Sequence, residues 1–360
     1  MYNDGMATTR ASTSSRKVNS SETPPPAASS HQIPAARVMR KLSDMFGAEF
    51  GPGEVPAFKP GPETPAIDPN YVFRKDHVRV GLLWLSGHIK RSLFLSGPTS
   101  SGKSSFIEQL CARMGWECFR FPANKDVEMV DLTGGLDLTR DGTEFTEGLM
   151  VKAMEAPAGV LLIDEIDLMN PAINAGLHTL LDGKPLWIPQ AKRFVSPSEN
   201  FRIAATGNSA GLGDSSKVYR GVQKLNVATI RRYLHLKVDY LSREEEKALL
   251  LRMIPSLDEM AAEIMTRVAE LTRTAFVGGL SDTSATDSQL DVVIGTDTLI
   301  TWAKLVVAYE ASSALRQEGR DPILEALYPA LLNCLMDPGN IHKAHAITGF
   351  LSRVRTDFVA

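Results

Sequence analysis

Residues 97–104 read Gly97-Pro-Thr-Ser-Ser-Gly102-Lys103-Ser104, a stretch that fits the pattern G-x-x-x-x-G-K-[ST]. It follows the short apolar run Leu93–Leu95 and precedes apolar residues at helical spacing, namely Phe106, Leu110 and Met114. A strand, a loop and a helix in this order are the context that a phosphate-binding loop requires. The sequence therefore predicts an α/β fold with a nucleotide site at this loop.

The chemistry of such a loop follows from its backbone. Glycines let backbone amides curl around phosphate oxygens, and the N-terminus of the following helix adds a favourable dipole. We expect Lys103 to bridge the β- and γ-phosphates of ATP, and the Ser104 hydroxyl to ligate Mg²⁺. The other residues of the predicted nucleotide-binding loop are Gly97, Pro98, Thr99, Ser100, Ser101, Gly102 and Ser105.

A second motif places two carboxylates after an apolar run. Val160–Ile163 is followed directly by Asp164 and Glu165. Ligands of open α/β sheets bind at the carboxyl ends of the strands. We expect Asp164 to hold Mg²⁺ through water and Glu165 to be the general base that orients the attacking water. Asp167 is expected to cap a helix.

A third apolar run, Phe201–Ala205, ends in Thr206-Gly207-Asn208. Asn208 is predicted to sense the γ-phosphate and to help position the water. The alternative is a simple turn at the end of the strand.

Further apolar runs at Cys118–Phe121 and Leu234–Val238 complete a pattern of strands alternating with helices. That pattern is typical of a parallel sheet covered on both faces. After Tyr240 the pattern becomes helical, beginning with the capping box Ser242-Arg-Glu-Glu245. The sequence thus predicts an α/β core with a parallel sheet flanked by helices, followed by a small all-helical domain.

The N-terminal part differs in composition. Ser, Thr, Ala and Pro dominate up to about residue 36, so this leader has too little apolar surface to fold. Val38, Met39, Leu42, Met45 and Phe46 then follow helical spacing, and Gly51–Pro69 is predicted to be an extended connector. The predicted organisation is a disordered leader (1–36), an N-terminal helix and connector (37–75), the α/β core (76–240) and the helical domain (241–360).

Composition excludes several classes of protein. The 360 residues include 39 basic and 42 acidic side chains, a net charge of −3, which gives no general attraction to nucleic acid or anionic membranes. Three cysteines are too few for a disulfide framework. No apolar stretch approaches the ~18 residues of a membrane span or forms a secretory signal. We therefore expect a cytoplasmic protein.

The order of these motifs resembles that of the AAA+ ATPases. Within them the sequence is similar to the CobS family of aerobic cobaltochelatase subunits, in the MoxR and magnesium-chelatase clade. The similarity spans about Phe46 to Trp302. The stretches that carry it are Glu54–Phe58, Ile67–Phe73, Thr146–Leu149, Gly211–Asp214, Tyr240–Leu241 and Thr298-Leu-Ile-Thr-Trp302-Ala.

The resemblance implies a ring, usually a hexamer, with ATP bound between neighbouring subunits. It also implies an arginine that reaches the γ-phosphate of the next subunit. The family pattern Met-Asp-Arg-Trp corresponds to Ile230-Arg231-Arg232-Tyr233, which puts Arg232 in that role. A guanidinium is always charged and binds phosphate oxygens with two parallel donors. The alternative is that both arginines belong to a solvated helix end.

One position departs from the family. Its helical lid carries an arginine where this sequence has Asp297, within Gly295-Thr-Asp-Thr298. A carboxylate repels phosphate, so coupling between nucleotide and lid is expected to differ, or another base substitutes. Because the central motifs are intact, hydrolysis is still predicted.

Two hairpins are also expected. Leu136–Phe145 contains an Asp-Gly turn and resembles the family's helix-2 insert, and Gly183–Val195 resembles its pre-sensor hairpin. In the family such hairpins face the pore or the partner; surface decoration is the alternative.

Three functions remain open at this point. The first is a motor subunit that acts with a CobT-like adhesion-domain protein and a large chelatase subunit to insert Co²⁺ into a corrin ring. The second is a MoxR-like chaperone with an unrelated protein client. The third is a scaffold that is gated by nucleotide and hydrolyses it weakly.

Overall fold

The computed structural model of the chain describes residues 36–140, 142–209, 211, 222–278, 293–311, 321–332 and 347–354. Three parts of the sequence predictions lie outside these residues. They are the predicted disorder of the leader up to residue 35, Asp141 of the Asp-Gly turn, and positions 212–214 of the stretch Gly211–Asp214.

The described residues form strands and helices in an alternating order. The strands are β1 Arg37–Lys41, β2 Glu54–Phe58, β3 Ser92–Ser96, β4 Glu117–Pro122, β5 Gly134–Thr139, β6 Gly142–Glu147, β7 Gly159–Asp164, β8 Leu186–Ile188, β9 Arg193–Val195, β10 Phe201–Gly207 and β11 Tyr233–Lys237. The helices are α1 Leu42–Phe46, α2 Lys75–Leu85, α3 Lys103–Met114, α4 Met129–Thr133, α5 Leu149–Glu155, α6 Pro171–Gly176, α7 His178–Leu181, α8 Val227–Ile230, α9 Arg243–Met253, α10 Glu259–Gly278, α11 Thr296–Ala311 and α12 Pro322–Leu332. A further helical segment covers 347–354, and 3₁₀ turns cover Ala48–Phe50 and Ile166–Leu168.

The central sheet has the strand order β11-β3-β10-β7-β4, and every neighbouring pair is parallel. Successive side chains of a strand point to opposite faces, so both faces of these apolar strands must be covered. Leu93 and Leu95 pack in one buried cluster with α3, whereas Phe94 packs in another cluster with α5. The predicted parallel α/β core is confirmed.

The N-terminal segment corrects one prediction. Residues Arg37–Lys41 form a strand paired antiparallel with Glu54–Phe58, and the helix is confined to Leu42–Phe46. Pairing with β2 satisfies backbone groups that the predicted longer helix would have paired internally. The connector is extended elsewhere and lies against α3, where buried Arg113 donates to the carbonyls of Met45 (2.7 Å) and Asp68 (2.8 Å).

The C-terminal helices share a core of their own. α9 begins with the predicted capping box, in which Ser242 and Glu245 bond each other's backbone amides. The helices pack around Trp302, which is fully buried and donates to the Ile323 carbonyl at 2.9 Å. The division of the chain into four segments stays a prediction.

Both predicted hairpins are present. β5 pairs with β6, and β8 pairs with β9. Arg193 of β9 joins the two hairpins through its ion pair with Glu147 of β6 at 2.7 Å, and it also pairs with Glu155 of α5 at 2.5 Å. Trp187 and Phe194 remain about half exposed. Their orientation toward a pore or a partner stays a prediction.

No helix within the described part of the chain is both long and apolar enough to cross a membrane.

Candidate nucleotide site

The loop Gly97–Ser104 connects β3 to α3 in the tight course that the motif predicts. Gly97 has no room for a side chain, since a Cβ there would lie 1.8 Å from the Val238 carbonyl oxygen. Ser100 and Gly102 have positive φ values of 58° and 85°, which turn the chain back onto the start of α3. The loop is therefore wrapped around the N-terminus of a twelve-residue helix, a position that favours anions.

Lys103 is the centre of this loop. Its Nζ donates to the carbonyl of Gly97 at 2.9 Å, to the carbonyl of Pro98 at 2.7 Å and to Asn208 Oδ1 at 3.0 Å. Burial lowers the pKa of Lys103 to about 8, although the nearby carboxylates oppose this shift. The ammonium is thus held where the loop closes, by two backbone carbonyls and one side-chain amide oxygen.

Asp164 lies at the carboxyl end of β7. Its Oδ1 accepts from Ser104 Oγ at 2.5 Å and from Thr206 Oγ1 at 2.5 Å, and its Oδ2 accepts from Arg120 Nε at 2.9 Å and from Arg120 Nη2. Burial opposes ionisation, but these hydrogen bonds outweigh it and lower the pKa of Asp164. The structure thereby brings the two predicted metal ligands, Ser104 and Asp164, into direct contact.

Glu165 follows in an unusual backbone conformation. Its φ of 59° is in the left-handed region, which non-glycine residues rarely occupy, and its amide donates to Thr206 Oγ1 at 2.9 Å. Such conformations persist where the surroundings impose them, commonly at functional sites. Burial, followed by repulsion from Asp164 and Asp167, raises the pKa of Glu165. A raised pKa suits a general base.

Asn208 closes the site from the neighbouring strand. Besides contacting Lys103, its Oδ1 lies 3.5 Å from Thr99 Oγ1. Its amide and that of Ser209 donate to Asp167 Oδ2 at 2.9 and 3.2 Å. The predicted helix cap at Asp167 is therefore wrong: this buried carboxylate holds the loop after β10 instead. This anchor fixes the backbone of Asn208, and its role as a sensor of the γ-phosphate stays a prediction.

The residues at this edge fit a nucleotide with Mg²⁺. Ser104 and Asp164 offer hydroxyl and carboxylate oxygens, the ligands that Mg²⁺ prefers. Ser101 Oγ is buried and has no hydrogen-bond partner among the described residues, which fits a polar group waiting for a ligand in the loop. Ser105 is exposed in the first turn of α3. The metal-binding role of Ser104 and Asp164 remains a proposal.

Arg232 lies apart from all these residues. It directly precedes β11, whose first residue, Tyr233, pairs with Ser92 at the start of β3. The P-loop follows the other end of β3, about 16 Å away at 3.3 Å per residue over five residues. Arg232 Nε donates to Asp182 Oδ1 at 2.7 Å, and this bond raises the pKa of Arg232. Arg232 therefore belongs to the opposite edge of the sheet.

The helical segment meets the P-loop through Asp297. Ser100 Oγ donates to Asp297 Oδ2 at 3.5 Å, and a Cβ on Gly295 would lie 2.4 Å from Ser100 Cβ. Asp297 also accepts from the Thr298 amide at 2.8 Å, as suits an acidic residue at a helix N-terminus. In this chain a carboxylate thus contacts the loop itself at the position where the resemblance predicts an arginine.

A second contact to the loop was not foreseen from the sequence. The Tyr240 hydroxyl donates to the Thr99 carbonyl at 2.6 Å, and the Arg273 guanidinium stacks on the Tyr240 ring at 4.1 Å. Arg273 is paired with buried Glu246 at 2.8 Å. Arg273, a basic residue of α10, is therefore linked to the loop by way of Tyr240.

Thr206 and Arg120 were also missed as site residues. Both could have been found by aligning strand ends: Ala205 pairs with Ile163, and Pro122 pairs with Asp164. Arg120 had an additional signal, because it is a charged residue inside the apolar run Cys118–Phe121.

Comparison with known proteins places the chain in a family. Residues 92–233 match the family model described as AAA domain (dynein-related subfamily). The aerobic cobaltochelatase subunit CobS of Sinorhizobium sp is 31% identical over 261 residues, which cover 69% of this chain and 75% of that protein. The denitrification regulatory protein NirQ of Pseudomonas aeruginosa is 22% identical over 70% of this chain and 90% of that protein.

Among solved structures, the Holliday junction branch migration motor RuvB of Thermotoga maritima aligns with a TM-score of 0.45. The two sequences are 16% identical, and the alignment covers 71% of this chain and 69% of the RuvB chain.

Proposed function

This chain belongs to the AAA+ ATPases of the MoxR and magnesium-chelatase clade, in the family of the cobaltochelatase subunit CobS, and from that premise we propose that it is a ring-forming motor. In this proposal it couples hydrolysis of Mg-ATP to the remodelling of a partner complex.

The observation that carries the proposal is the meeting of three motifs at one edge of the sheet. Lys103 contacts Asn208 at 3.0 Å, and Ser104 contacts Asp164 at 2.5 Å. In the proposed reaction Lys103 binds the β- and γ-phosphates, and Asn208 orients the attacking water. Glu165 takes the proton from that water, a task for which its raised pKa is suited.

Ser104 and Asp164 are the residues that would hold Mg²⁺ in this account. When bound, the ion supplies positive charge that offsets the negative charge of the phosphate oxygens. Ser104 can keep donating its proton to Asp164 while a lone pair of its oxygen faces the metal.

The position of Arg232 supports a site shared between two copies of the chain. The five residues of β3 separate Arg232 from the P-loop of its own chain by about 16 Å, so Arg232 cannot reach a phosphate bound at that loop. The same arginine is exposed enough to enter the site of a neighbour, since its side chain keeps 28% of its accessible surface. We therefore propose a homo-oligomeric ring, with a hexamer as the expected size.

The client of the motor is proposed from the relationship to CobS. The partners would then be a CobT-like adhesion-domain protein and a large chelatase subunit, and chelation of Co²⁺ by a corrin would occur only in that complex. The relationship to NirQ, which extends over 90% of that protein, favours a second candidate, a MoxR-like chaperone for an unrelated protein complex. The contact of Asp297 with Ser100 favours a third, a nucleotide-gated scaffold with weak hydrolysis.

A phosphate-release assay on the purified chain, alone and with candidate partners, tests the central proposal. E165Q should lower the rate by about 10²–10⁴-fold, because general bases contribute that much, and should still bind nucleotide. E144Q removes an exposed carboxylate of β6 and serves as the matched control. Equal rates for wild type and E165Q under every condition would reject the motor and leave the scaffold.

Retention of partners on the E165Q protein then separates the two motors. Joint capture of an adhesion-domain protein and a large chelatase subunit supports the chelatase motor. Capture of a different complex in the same ATP-dependent way supports the chaperone.

A further inference from the structure

Arg120 occupies an unexpected place beside the predicted metal-binding carboxylate. It lies on β4, the edge strand next to β7, and its side chain is half exposed. Nε donates to Asp164 Oδ2 at 2.9 Å, and Nη2 donates to the same oxygen. A permanent positive charge therefore faces the carboxylate that the proposed function reserves for Mg²⁺.

Together with Arg120, two hydroxyls saturate Asp164. A carboxylate has about four lone-pair positions. Ser104 and Thr206 use Oδ1, and the two nitrogens of Arg120 use Oδ2. The Ser104 contact is compatible with a bound metal, because a hydroxyl that donates a proton still offers a lone pair. The Arg120 contact opposes metal binding, since a guanidinium and a divalent cation repel each other.

The guanidinium of Arg120 has a second carboxylate partner, Glu108. Arg120 Nη1 donates to Glu108 Oε1 of α3 at 3.1 Å while the other nitrogens hold Asp164. Of the two carboxylates that Arg120 contacts, Glu108 is more exposed than Asp164. Glu108 has no role in the proposed hydrolysis. Arg120 can therefore give up Asp164 without becoming an unpaired charge.

We propose that Arg120 is a positioning residue that competes with Mg²⁺ for Asp164 and moves onto Glu108 when the metal binds with nucleotide. This inference rests on the proposed function. It predicts that the chain needs more Mg²⁺ to retain nucleotide than its ligand set alone would require, and that loss of the metal is accelerated by the returning guanidinium.

The test is a Mg²⁺ titration at saturating AMP-PNP, a nucleotide that is not hydrolysed, with the rise in Tm as the readout. R120Q should lower the Mg²⁺ concentration of half-maximal stabilisation by about tenfold, because a repelling charge a few ångströms away is removed. E108Q should raise it by about threefold, because the guanidinium loses its alternative partner. R120Q combined with E108Q should behave as R120Q alone, since Glu108 acts only through Arg120.

K125Q is the matched control. It removes one exposed positive charge from the loop that follows the same strand, and it should leave the Mg²⁺ midpoint unchanged. R120K keeps the charge but loses the paired donors, and it should give a midpoint between those of wild type and R120Q.

The inference is overturned if R120Q leaves the midpoint unchanged or raises it, or if E108Q has its full effect without Arg120. A wild-type protein that AMP-PNP and Mg²⁺ fail to stabilise would instead overturn the proposed function, and this inference with it. The two failures are therefore distinguishable.

Discussion

The two edges of the central sheet are organised in opposite ways. At the carboxyl edge, Lys103, Asp164 and Asn208 are joined into one network through the P-loop. At the amino edge, Arg232 is held by Asp182 and meets none of those residues. The strands separate the two edges by about 16 Å, so the proposed nucleotide-binding groups and the proposed catalytic arginine of one copy do not meet. The comparison motivates our proposal that one copy binds the nucleotide and that hydrolysis requires Arg232 of a second copy.

The largest expected effect comes from R232A. It should lower kcat by about 10³-fold or more, the range measured for arginines supplied from a neighbour in other NTPases. Nucleotide affinity should stay within about twofold, because Arg232 lies at the edge away from the P-loop. Steady-state phosphate release together with equilibrium nucleotide binding checks both values.

R231A is the matched control, since Arg231 is the exposed neighbour in the same turn, and it should retain most of the activity. If R232A weakens nucleotide binding by the same factor as it lowers kcat, the proposed difference in function between the two edges is wrong.

A smaller effect is expected from pH at the carboxyl edge. The pKa of Lys103 is lowered to about 8 by burial, so its ammonium loses the proton as the pH rises through that value. Phosphates bind the charged form, and nucleotide affinity should therefore fall by up to about tenfold per pH unit above pH 8. Binding measured between pH 7.5 and 9.5 tests this.

K103R sharpens the result. Arginine stays charged over this range, so the variant should show no such fall, whatever its absolute affinity. A wild-type affinity that is flat up to pH 9.5 would show that Lys103 is not the titrating contact.

The smallest effect is expected at the junction with the helical segment. Y240F removes the hydroxyl that binds the Thr99 carbonyl at 2.6 Å. One hydrogen bond contributes about 1 kcal/mol, so nucleotide affinity should weaken by roughly fivefold while kcat changes little. Y309F, about 18 Å along α11 from Asp297, should have no effect. Equal nucleotide affinities for Y240F and Y309F would show that the junction with the helical segment does not contribute to nucleotide binding.

The carboxyl edge could be predicted from the sequence because its motifs are local. Lys103 and Ser104 sit in one loop, and Asp164 directly follows an apolar strand. The capping box at Ser242 and the Asp-Gly turn of the hairpin Leu136–Phe145 were predicted for the same reason, since each depends on neighbours within a few residues. The parallel sheet was predicted from the alternation of apolar runs with helical segments along the chain, and the hairpin Gly183–Val195 from the family resemblance. Arg232 could be proposed only through a family resemblance.

The residues that sequence reasoning missed depend on distant partners. Arg120 binds a carboxylate 44 residues away, and Asp167 anchors amides 41 and 42 residues away. The strand Arg37–Lys41 was mistaken for a helix because its apolar residues also fit helical spacing, and only its pairing with Glu54–Phe58 decides the conformation. A local pattern can mark such a residue as unusual, but it does not show which distant residue the side chain contacts.

The most direct test of the shared site is to mix two inactive variants, K103A and R232A. In a ring assembled at random from equal amounts, about a quarter of the interfaces would combine an intact Lys103 with an intact Arg232 from the next copy. The account predicts that phosphate release returns to a substantial fraction of the wild-type rate on mixing, although each variant alone is inactive. Mixed rings that assemble but remain as inactive as their components would contradict it.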